Sequence, residues 1–280
     1  MRTVEVSSPS SKHVAVFGPT AGRLAVIAGP CLVEDEALLR TVAAELVRLR
    51  GILPVDFVFK ASYRKANRTS GASVTGIGDE AALKLMAMVR SEYDLPTLTD
   101  VHDVTEVSRA AEAVDVLQIP AFLARQTDLL VAAAQTGRVV EIKKGQFMAA
   151  ADMAFARDKV IGAGNEKVIL AERGTFFGYG DLVVDLRSLV IMRGFDVPVI
   201  YDATHSVQRP SQNGVSGGAR EFIAPLARAA MAVGIDGLFI ETHPDPEQAL
   251  SDKASQLPLA DLEGLLTELL AVRAARPSHV

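Results

Sequence analysis

A dense group of cations follows a short apolar run near residue 60. Phe57–Phe59 is typical of a buried strand. Four cations and three neutral donors come soon after it: Lys60, Arg64, Lys65, Arg68, Asn67, Thr69 and Ser70. Like charges this close repel one another, so the group indicates an anion between them. Guanidinium forks and neutral donors suit phosphate oxygens better than a bare carboxylate. A solvated basic loop is the alternative interpretation.

Polar residues also follow the other apolar runs of the chain. These strand-end residues are Cys31, Lys60, Asp100 with His102, Gln118, Lys143 with Lys144, Glu172 with Arg173, Asp202 with His205, and Glu241 with His243. In a barrel of parallel strands they would gather at one rim, where barrel enzymes build their active sites. Clustered charge at such a rim must be compensated, which favours a ligand-binding function.

The cations of this rim exceed what one phosphate requires. The set comprises Lys60, Lys65, Arg68, Arg125, Lys143 and Arg173. It indicates two anionic groups or one multiply charged substrate. The alternative is that these cations form structural ion pairs with Asp100, Glu172 and Asp202. For Arg125 this alternative is as strong as a role in binding the substrate.

Four further residues could hold a metal ion, namely Cys31, His205, Glu241 and Asp252. Their spacing matches no metal motif, and the support is positional, because the last and first strands are neighbours in a closed barrel. One thiolate, one imidazole and two carboxylates suit Mn, Fe, Zn or Co. A lone buried cysteine acting as a small hydrophobe is the alternative.

The elements that position these residues alternate between strands and helices. Predicted strands are Leu24–Ala28, Phe57–Phe59, Thr97–Thr99, Val116–Ile119, Val139–Ile142, Lys167–Leu170, Val197–Tyr201 and Gly237–Ile240. The clearest predicted helices are Glu34–Arg50, Asp79–Ser91, Thr127–Thr136, Leu182–Arg193, Arg220–Val233 and Leu259–Ala274. Strands that are apolar on both faces predict a parallel sheet covered on both sides. Eight such units predict an α/β fold of the (β/α)₈ TIM barrel type, with an open doubly wound sheet as the competitor. Val4–Val6 and Val14–Phe17 predict a short N-terminal β-hairpin that closes the barrel.

Composition limits the class of protein. The chain has 280 residues, about half of them apolar, and a formal net charge of −5. We expect one barrel domain over 1–280. The acidic excess argues against nucleic acid, and we expect no signal peptide or membrane span. A single cysteine excludes an intramolecular disulfide and indicates a reducing compartment, hence a cytoplasmic protein.

Longer motifs resemble one known family. They are FKASYRKANRTS, TDVHDV, DVLQIPAFLARQTDLL, KKGQF, NEKVILAERGTFFGYGDLVVDLRSL, YDATHSVQ, SGGAREF and ETHPDPEQALSDKASQLPL, which run in order over residues 24–265. The chain resembles the 3-deoxy-D-manno-octulosonate-8-phosphate synthases, also called 2-dehydro-3-deoxyphosphooctonate aldolases. The resemblance implies a (β/α)₈ barrel, a homotetramer, and condensation of phosphoenolpyruvate (PEP) with arabinose 5-phosphate and water towards lipopolysaccharide.

A sister family uses erythrose 4-phosphate in the same chemistry. These 3-deoxy-D-arabino-heptulosonate-7-phosphate synthases typically carry Lys-Pro-Arg-Thr where this chain has Lys65-Ala-Asn-Arg-Thr69. The Ala-Asn insertion is similar to the arabinose 5-phosphate enzymes. A lysine Schiff-base aldolase using Lys60 or Lys143, and a non-catalytic anion-binding barrel, are further alternatives.

The resemblance also implies metal dependence. Metal-independent members of the family have Asn in place of the metal-binding Cys, whereas this chain has Ala28-Gly-Pro-Cys31. It also has Ser251-Asp252-Lys253 where those members usually show Cys-Asp-Gly. Cys31, His205, Glu241 and Asp252 are therefore expected to bind a divalent transition metal.

The matched motifs imply roles for individual residues. The expected PEP site consists of Lys60, Lys65, Lys143, Arg173 and the backbone around Ala121, and the expected aldose phosphate pocket of Asn67, Arg68 and Thr69. Asp100 and Gln118 are expected to contact substrate as well. Lys60 and Lys143 would act in catalysis, and His205 or Asp252 could assist proton transfer.

Overall fold

The computed structural model describes residues 1–8, 12–66, 74–212 and 215–276, except for the side chains of 210–216. Eight parallel strands form its central sheet: β1 Leu24–Gly29, β2 Val55–Lys60, β3 Thr97–Asp100, β4 Val116–Ile119, β5 Val139–Lys143, β6 Val168–Glu172, β7 Val199–Asp202 and β8 Gly237–His243. Each pairs with the next in sequence, and β8 pairs with both β7 and β1. The sheet is therefore closed, and the predicted (β/α)₈ barrel is confirmed.

Eight α-helices in the described part of the chain surround the barrel. They are α1 Glu36–Ile52, α2 Asp79–Glu92, α3 Val104–Ala113, α4 Thr127–Gln135, α5 Met153–Gly162, α6 Arg187–Arg193, α7 Ile223–Val233 and α8 Leu262–Ala275. α1 shows why they form. Asp35 caps its first turn by accepting a hydrogen bond from the Leu38 backbone N–H at 2.7 Å. Its buried residues recur every three or four positions and give it one apolar face towards the sheet: Leu39, Val42, Ala43, Leu46 and Leu49. None of the described helices is long and apolar enough to cross a membrane.

The core has two separate parts. Outward side chains of the strands pack with the helices in the larger part, whereas the smaller part lies inside the barrel. The predicted N-terminal hairpin is present as Val4–Val6 paired antiparallel with Ala15–Phe17. Its fully buried Phe17 packs where β8 begins, and a Cβ at Gly237 would lie 2.8 Å from the Phe17 ring. The hairpin therefore closes the amino end of the barrel.

One predicted helix boundary differs from the structure by more than a turn. The expected helix Leu182–Arg193 begins only at Arg187, because Asp181–Val183 is a strand paired antiparallel with Thr175–Phe177. The glycines between these two strands allow the turn, and Gly178 has a φ of 68°. In this hairpin Leu182 is buried, whereas Val183 and Phe177 are exposed.

Candidate functional site

The carboxyl ends of the strands place a cluster of polar side chains inside the barrel. Its members are buried, and each belongs to a different one of seven strands, with Arg173 lying directly after its strand: Lys60, Asp100, Gln118, Lys143, Arg173, Asp202 and Glu241. The alternation of each strand turns these residues inward while their neighbours pack against helices. The predicted gathering of strand-end residues is present in the structure.

Lys60 and Glu241 form a buried ion pair between β2 and β8. The Lys60 ammonium donates to Glu241 Oε1 and, at 2.9 Å, to the backbone oxygen of Cys31. Both side chains are almost completely excluded from solvent. A Cβ at Gly29 would lie 2.0 Å from the Lys60 backbone oxygen, so only glycine lets β1 turn here towards Cys31. These contacts fix Lys60 beside the end of β1.

Lys143 and Asp202 form a second buried pair. Lys143 Nζ lies 2.5 Å from Asp202 Oδ2 and 3.0 Å from the centre of the Phe239 ring. Asp202 Oδ2 also lies 2.8 Å from His205 Nδ1. Burial raises the pKa of Asp202, but the charges of His205 and Lys143 outweigh it and hold that pKa well below its usual range. Asp202 is therefore the anion that orients both Lys143 and His205.

Three of the predicted metal ligands come together. Ligand atoms of Cys31, Glu241 and Asp252 lie within 4.8 Å of one another, and Cys31 Sγ is 2.9 Å from Asp252 Oδ2. Glu241 Oε2 is buried and has no partner among the described residues. Burial, followed by the charges of Asp252 and Glu241, raises the pKa of the Cys31 thiol well above its ordinary value. This donor set combines one sulfur, two carboxylates and an orphaned oxygen, so it fits a divalent cation.

His205 lies next to this group without belonging to it. Its Nε2 is 3.7 Å from Glu241 Oε1, and its Nδ1 faces Asp202. The carboxylate on Nδ1 leaves Nε2 facing Glu241, an arrangement that is also common for histidines in metal sites. The assignment of His205 as the fourth ligand stays a prediction.

Two cations at the rim offer charge to an incoming anion. Arg173 donates to Gln208 Oε1 at 2.9 Å, while its buried Nη1 has no partner among the described residues. Lys65 is buried, and no carboxylate in the described part of the chain forms an ion pair with it. Burial lowers the pKa of Lys65, but the nearby charges of Cys31, Glu241 and others outweigh it and raise that pKa above its usual value.

A hydrogen-bonded network connects Asp100 to the basic loop. Asp100 Oδ2 lies 3.1 Å from His102 Nε2, and the other ring nitrogen lies 3.4 Å from Glu106 Oε2. Glu106 also accepts from the Tyr63 hydroxyl at 2.5 Å and pairs with Arg64. Glu106 and Tyr63 were missed in the sequence, because a glutamate on a helix and a tyrosine in a loop are ordinary there.

Two other predicted residues lie at the next part of the rim. Gln118 lies next to the last residue of β4, with its side-chain oxygen buried and without a partner among the described residues. Ala121 opens the short helical turn that follows, and a Cβ at Gly145 would lie 3.1 Å from the Ala121 backbone oxygen. Loops after β4 and β5 thus meet here. The predicted aldose phosphate residues Asn67, Arg68 and Thr69 lie outside the described residues.

Glu141 is an inward-facing residue that the sequence analysis missed. It is fully buried on β5, and neither carboxyl oxygen has a partner among the described residues. Burial raises its pKa to about 8. A signal was present, because a charged residue interrupts the apolar run Val139–Ile142 before the strand ends.

Known proteins are similar to this chain over most of its length. The family described as DAHP synthetase I matches residues 10–275. A protein of Syntrophotalea carbinolica is 53% identical over 252 residues, 90% of this chain and 91% of its own. One of Desulfotalea psychrophila is 50% identical over 273 residues, 97% of each chain, and one of Rhodopseudomonas palustris is 56% identical over 249 residues, 88% of this chain and 87% of its own. All three are named 2-dehydro-3-deoxyphosphooctonate aldolase.

Proposed function

The chain belongs to the DAHP synthetase I family, and we propose that it condenses PEP with D-arabinose 5-phosphate and water. The products are 3-deoxy-D-manno-octulosonate 8-phosphate and phosphate, in a step towards lipopolysaccharide. The observation that carries this proposal is the identity of at least 50% to three proteins named 2-dehydro-3-deoxyphosphooctonate aldolase, over most of each chain. The buried cluster of strand-end cations supports it.

The cations of the rim are the proposed PEP site. PEP brings a carboxylate and a phosphate, and the structure offers Lys65 and Arg173 with charge that no described carboxylate neutralises by direct pairing. Lys60 and Lys143 hold their positions through Glu241 and Asp202 respectively. These four side chains would fix the face of PEP that meets the aldehyde, with the backbone at Ala121 and the amide of Gln118 beside them.

The proposed cofactor is a divalent transition metal held by Cys31, His205, Glu241 and Asp252. When bound, such an ion supplies Lewis acidity towards an aldehyde oxygen or a water molecule. The residues themselves do three things. Asp202 orients His205 through Nδ1, Lys60 balances the charge of Glu241, and Asp252 accepts a hydrogen bond from the Cys31 thiol.

We also propose a cytoplasmic homotetramer. Large apolar side chains are exposed along the rim hairpin and the neighbouring loop, namely Phe147, Phe176, Phe177 and Tyr179. Contiguous apolar surface of this kind marks an interaction site. Sedimentation of the purified protein tests the assembly.

The deciding experiment measures phosphate release from PEP with two sugars. We expect release with arabinose 5-phosphate and much less with erythrose 4-phosphate, the substrate of the sister enzyme. Arg68→Ala should raise the Michaelis constant for the sugar by about one to two decades and that for PEP far less, because one charge-assisted phosphate contact is lost. A preference for erythrose 4-phosphate would overturn the proposed substrate. Inactivation by borohydride with a carbonyl substrate would indicate a Schiff-base aldolase instead.

A further inference from the structure

Glu141 differs from the other inward-facing acids that the structure describes. Glu241 and Asp202 each accept from a buried lysine, and Asp100 has one oxygen on a histidine ring. Glu141 has neither, although it is as deeply buried as any of them. An isolated carboxylate in such a place is so costly that the group retains a proton instead.

The strand register places Glu141 beside a second orphaned group. Gln118 on β4 is the direct register partner of Glu141 on β5, and Asp100 on β3 is in turn the partner of Gln118. Neighbouring strands are roughly 4.8 Å apart, so the inward side chains of such a row face the same space. Gln118 Oε1 is buried there without a donor. A carboxylate has no proton to give to this oxygen, whereas a neutral carboxyl has one.

Four charged groups face Glu141 across the barrel interior. They are Lys143 on its own strand, Asp202 on β7, Asp100 on β3 and Lys60 on β2. Burial is the largest influence on Glu141 and favours its neutral form, the two lysines oppose it, and the two aspartates add to it. Both lysines already have carboxylate partners of their own, Glu241 and Asp202, which leaves Glu141 without an ammonium to pair with.

We propose that Glu141 is a positioning residue for PEP, which acts as a neutral acid that donates a hydrogen bond to Gln118 Oε1. This bond turns the NH₂ group of Gln118 towards the substrate anion. A neutral Glu141 also leaves Lys143 with Asp202 as its one carboxylate partner among the described residues, so the ammonium keeps its charge available to PEP. The inference rests on the proposed PEP site.

Ionisation of Glu141 reverses both effects. The carboxylate can only accept, so the Gln118 amide turns its NH₂ group towards Glu141 and away from the substrate. A new negative charge two residues before Lys143 also repels the incoming anion. PEP binding should therefore weaken once Glu141 loses its proton.

The test compares the pH dependence of PEP binding in three proteins. The wild type, Glu141→Gln and Asp115→Asn are titrated with PEP by calorimetry, and their Michaelis constants are measured between about pH 6 and pH 10. Asp115 is a matched control, because it is a buried acid with a raised pKa at the amino end of β4, bonded to the Thr97 backbone N–H. We expect the wild type and Asp115→Asn to lose PEP affinity above about pH 8, by up to about tenfold per pH unit. Glu141→Gln, which cannot ionise, should show no such loss.

Two outcomes overturn the inference, and they differ from failure of the proposed reaction. One is an alkaline loss of PEP affinity in Glu141→Gln equal to that of the wild type. The other is an infrared spectrum of the wild type at neutral pH without the band of a buried protonated carboxyl, a measurement that needs no variant. Normal PEP binding without phosphate release for either sugar would reject the proposed reaction and leave the role of Glu141 standing.

Discussion

At the amino end of the barrel the inward side chains are apolar, whereas at the carboxyl end six of the same strands turn charged residues towards one another. Phe17 and its neighbours from the hairpin fill the first end. Lys60, Glu241, Lys143 and Asp202 occupy the second as buried pairs. Burying apolar area stabilises the fold, while burying an ion pair often gains nothing over an apolar pair. The amino end thus serves stability, and the carboxyl end is built for function.

Metal removal should give the largest effect at the carboxyl end. We expect a strong chelator to abolish turnover and Mn or Co to restore it, because Cys31, Glu241 and Asp252 bring together ligand atoms that suit a divalent transition metal. Cys31→Ala should lose the metal while its circular dichroism stays that of a folded barrel. Full turnover by protein that elemental analysis shows to be metal-free would contradict the assignment.

Phe17→Ala, at the amino end of the barrel, should lower stability and leave activity unchanged. Removing this fully buried ring leaves a cavity, and the free energy of unfolding should fall by about 3–5 kcal/mol. The kcat/KM of the molecules that remain folded should not change, since the active rim is distant. Val14→Ala, at a partly exposed position just before the same hairpin strand, is the control and should cost far less. A change in kcat/KM for Phe17→Ala would show that the two ends are coupled. Chemical denaturation and assays below the melting temperature provide both values.

Arg173→Gln tests the proposed PEP site and should have a smaller effect than metal removal. We expect the Michaelis constant for PEP to rise by about one to two decades, because a charge-assisted contact is worth about 1.5–3 kcal/mol. Arg187→Gln makes the same change in charge on an exposed side chain that pairs with Asp185, and it should leave that constant as it is. Equal effects of the two substitutions would mean that net charge matters and the position of Arg173 does not.

Glu141→Gln should reveal a gradual effect of pH on stability. Folded wild type holds the Glu141 proton up to about pH 8, whereas an unfolded chain releases it near pH 4.5. Folding therefore takes up a proton between these values, and the free energy of unfolding falls as pH rises, by at most about 1.4 kcal/mol per pH unit. Urea denaturation should show that the free energy of unfolding of the wild type falls relative to that of Glu141→Gln as pH rises through this window. Above the window the difference between the two free energies should stay constant. A difference that is independent of pH would show that Glu141 is ionised in the fold.

Sequence patterns predicted the barrel and most of its rim for a physical reason. Strands buried on both faces must be apolar, so Lys60, Lys143 and Glu241 stand out at the points where the runs end. The pattern could not show which cation pairs with which acid, because pairing depends on the closed register. It also missed Glu141, one layer below the rim, and the strand Asp181–Val183, whose apolar residues fit a helical period equally well.

Closure of the sheet between β1 and β8 has a consequence for folding. This pairing joins Ile27 to Phe239 and Gly29 to Glu241, across more than 200 residues of intervening chain. Contacts so distant in sequence close the longest loop of the fold, which makes them slow to form. Cys31 follows one of these strands, and Glu241 lies on the other. A metal ion held by both residues would bind only after the two strands have paired. By mass action its binding would therefore stabilise the closed barrel.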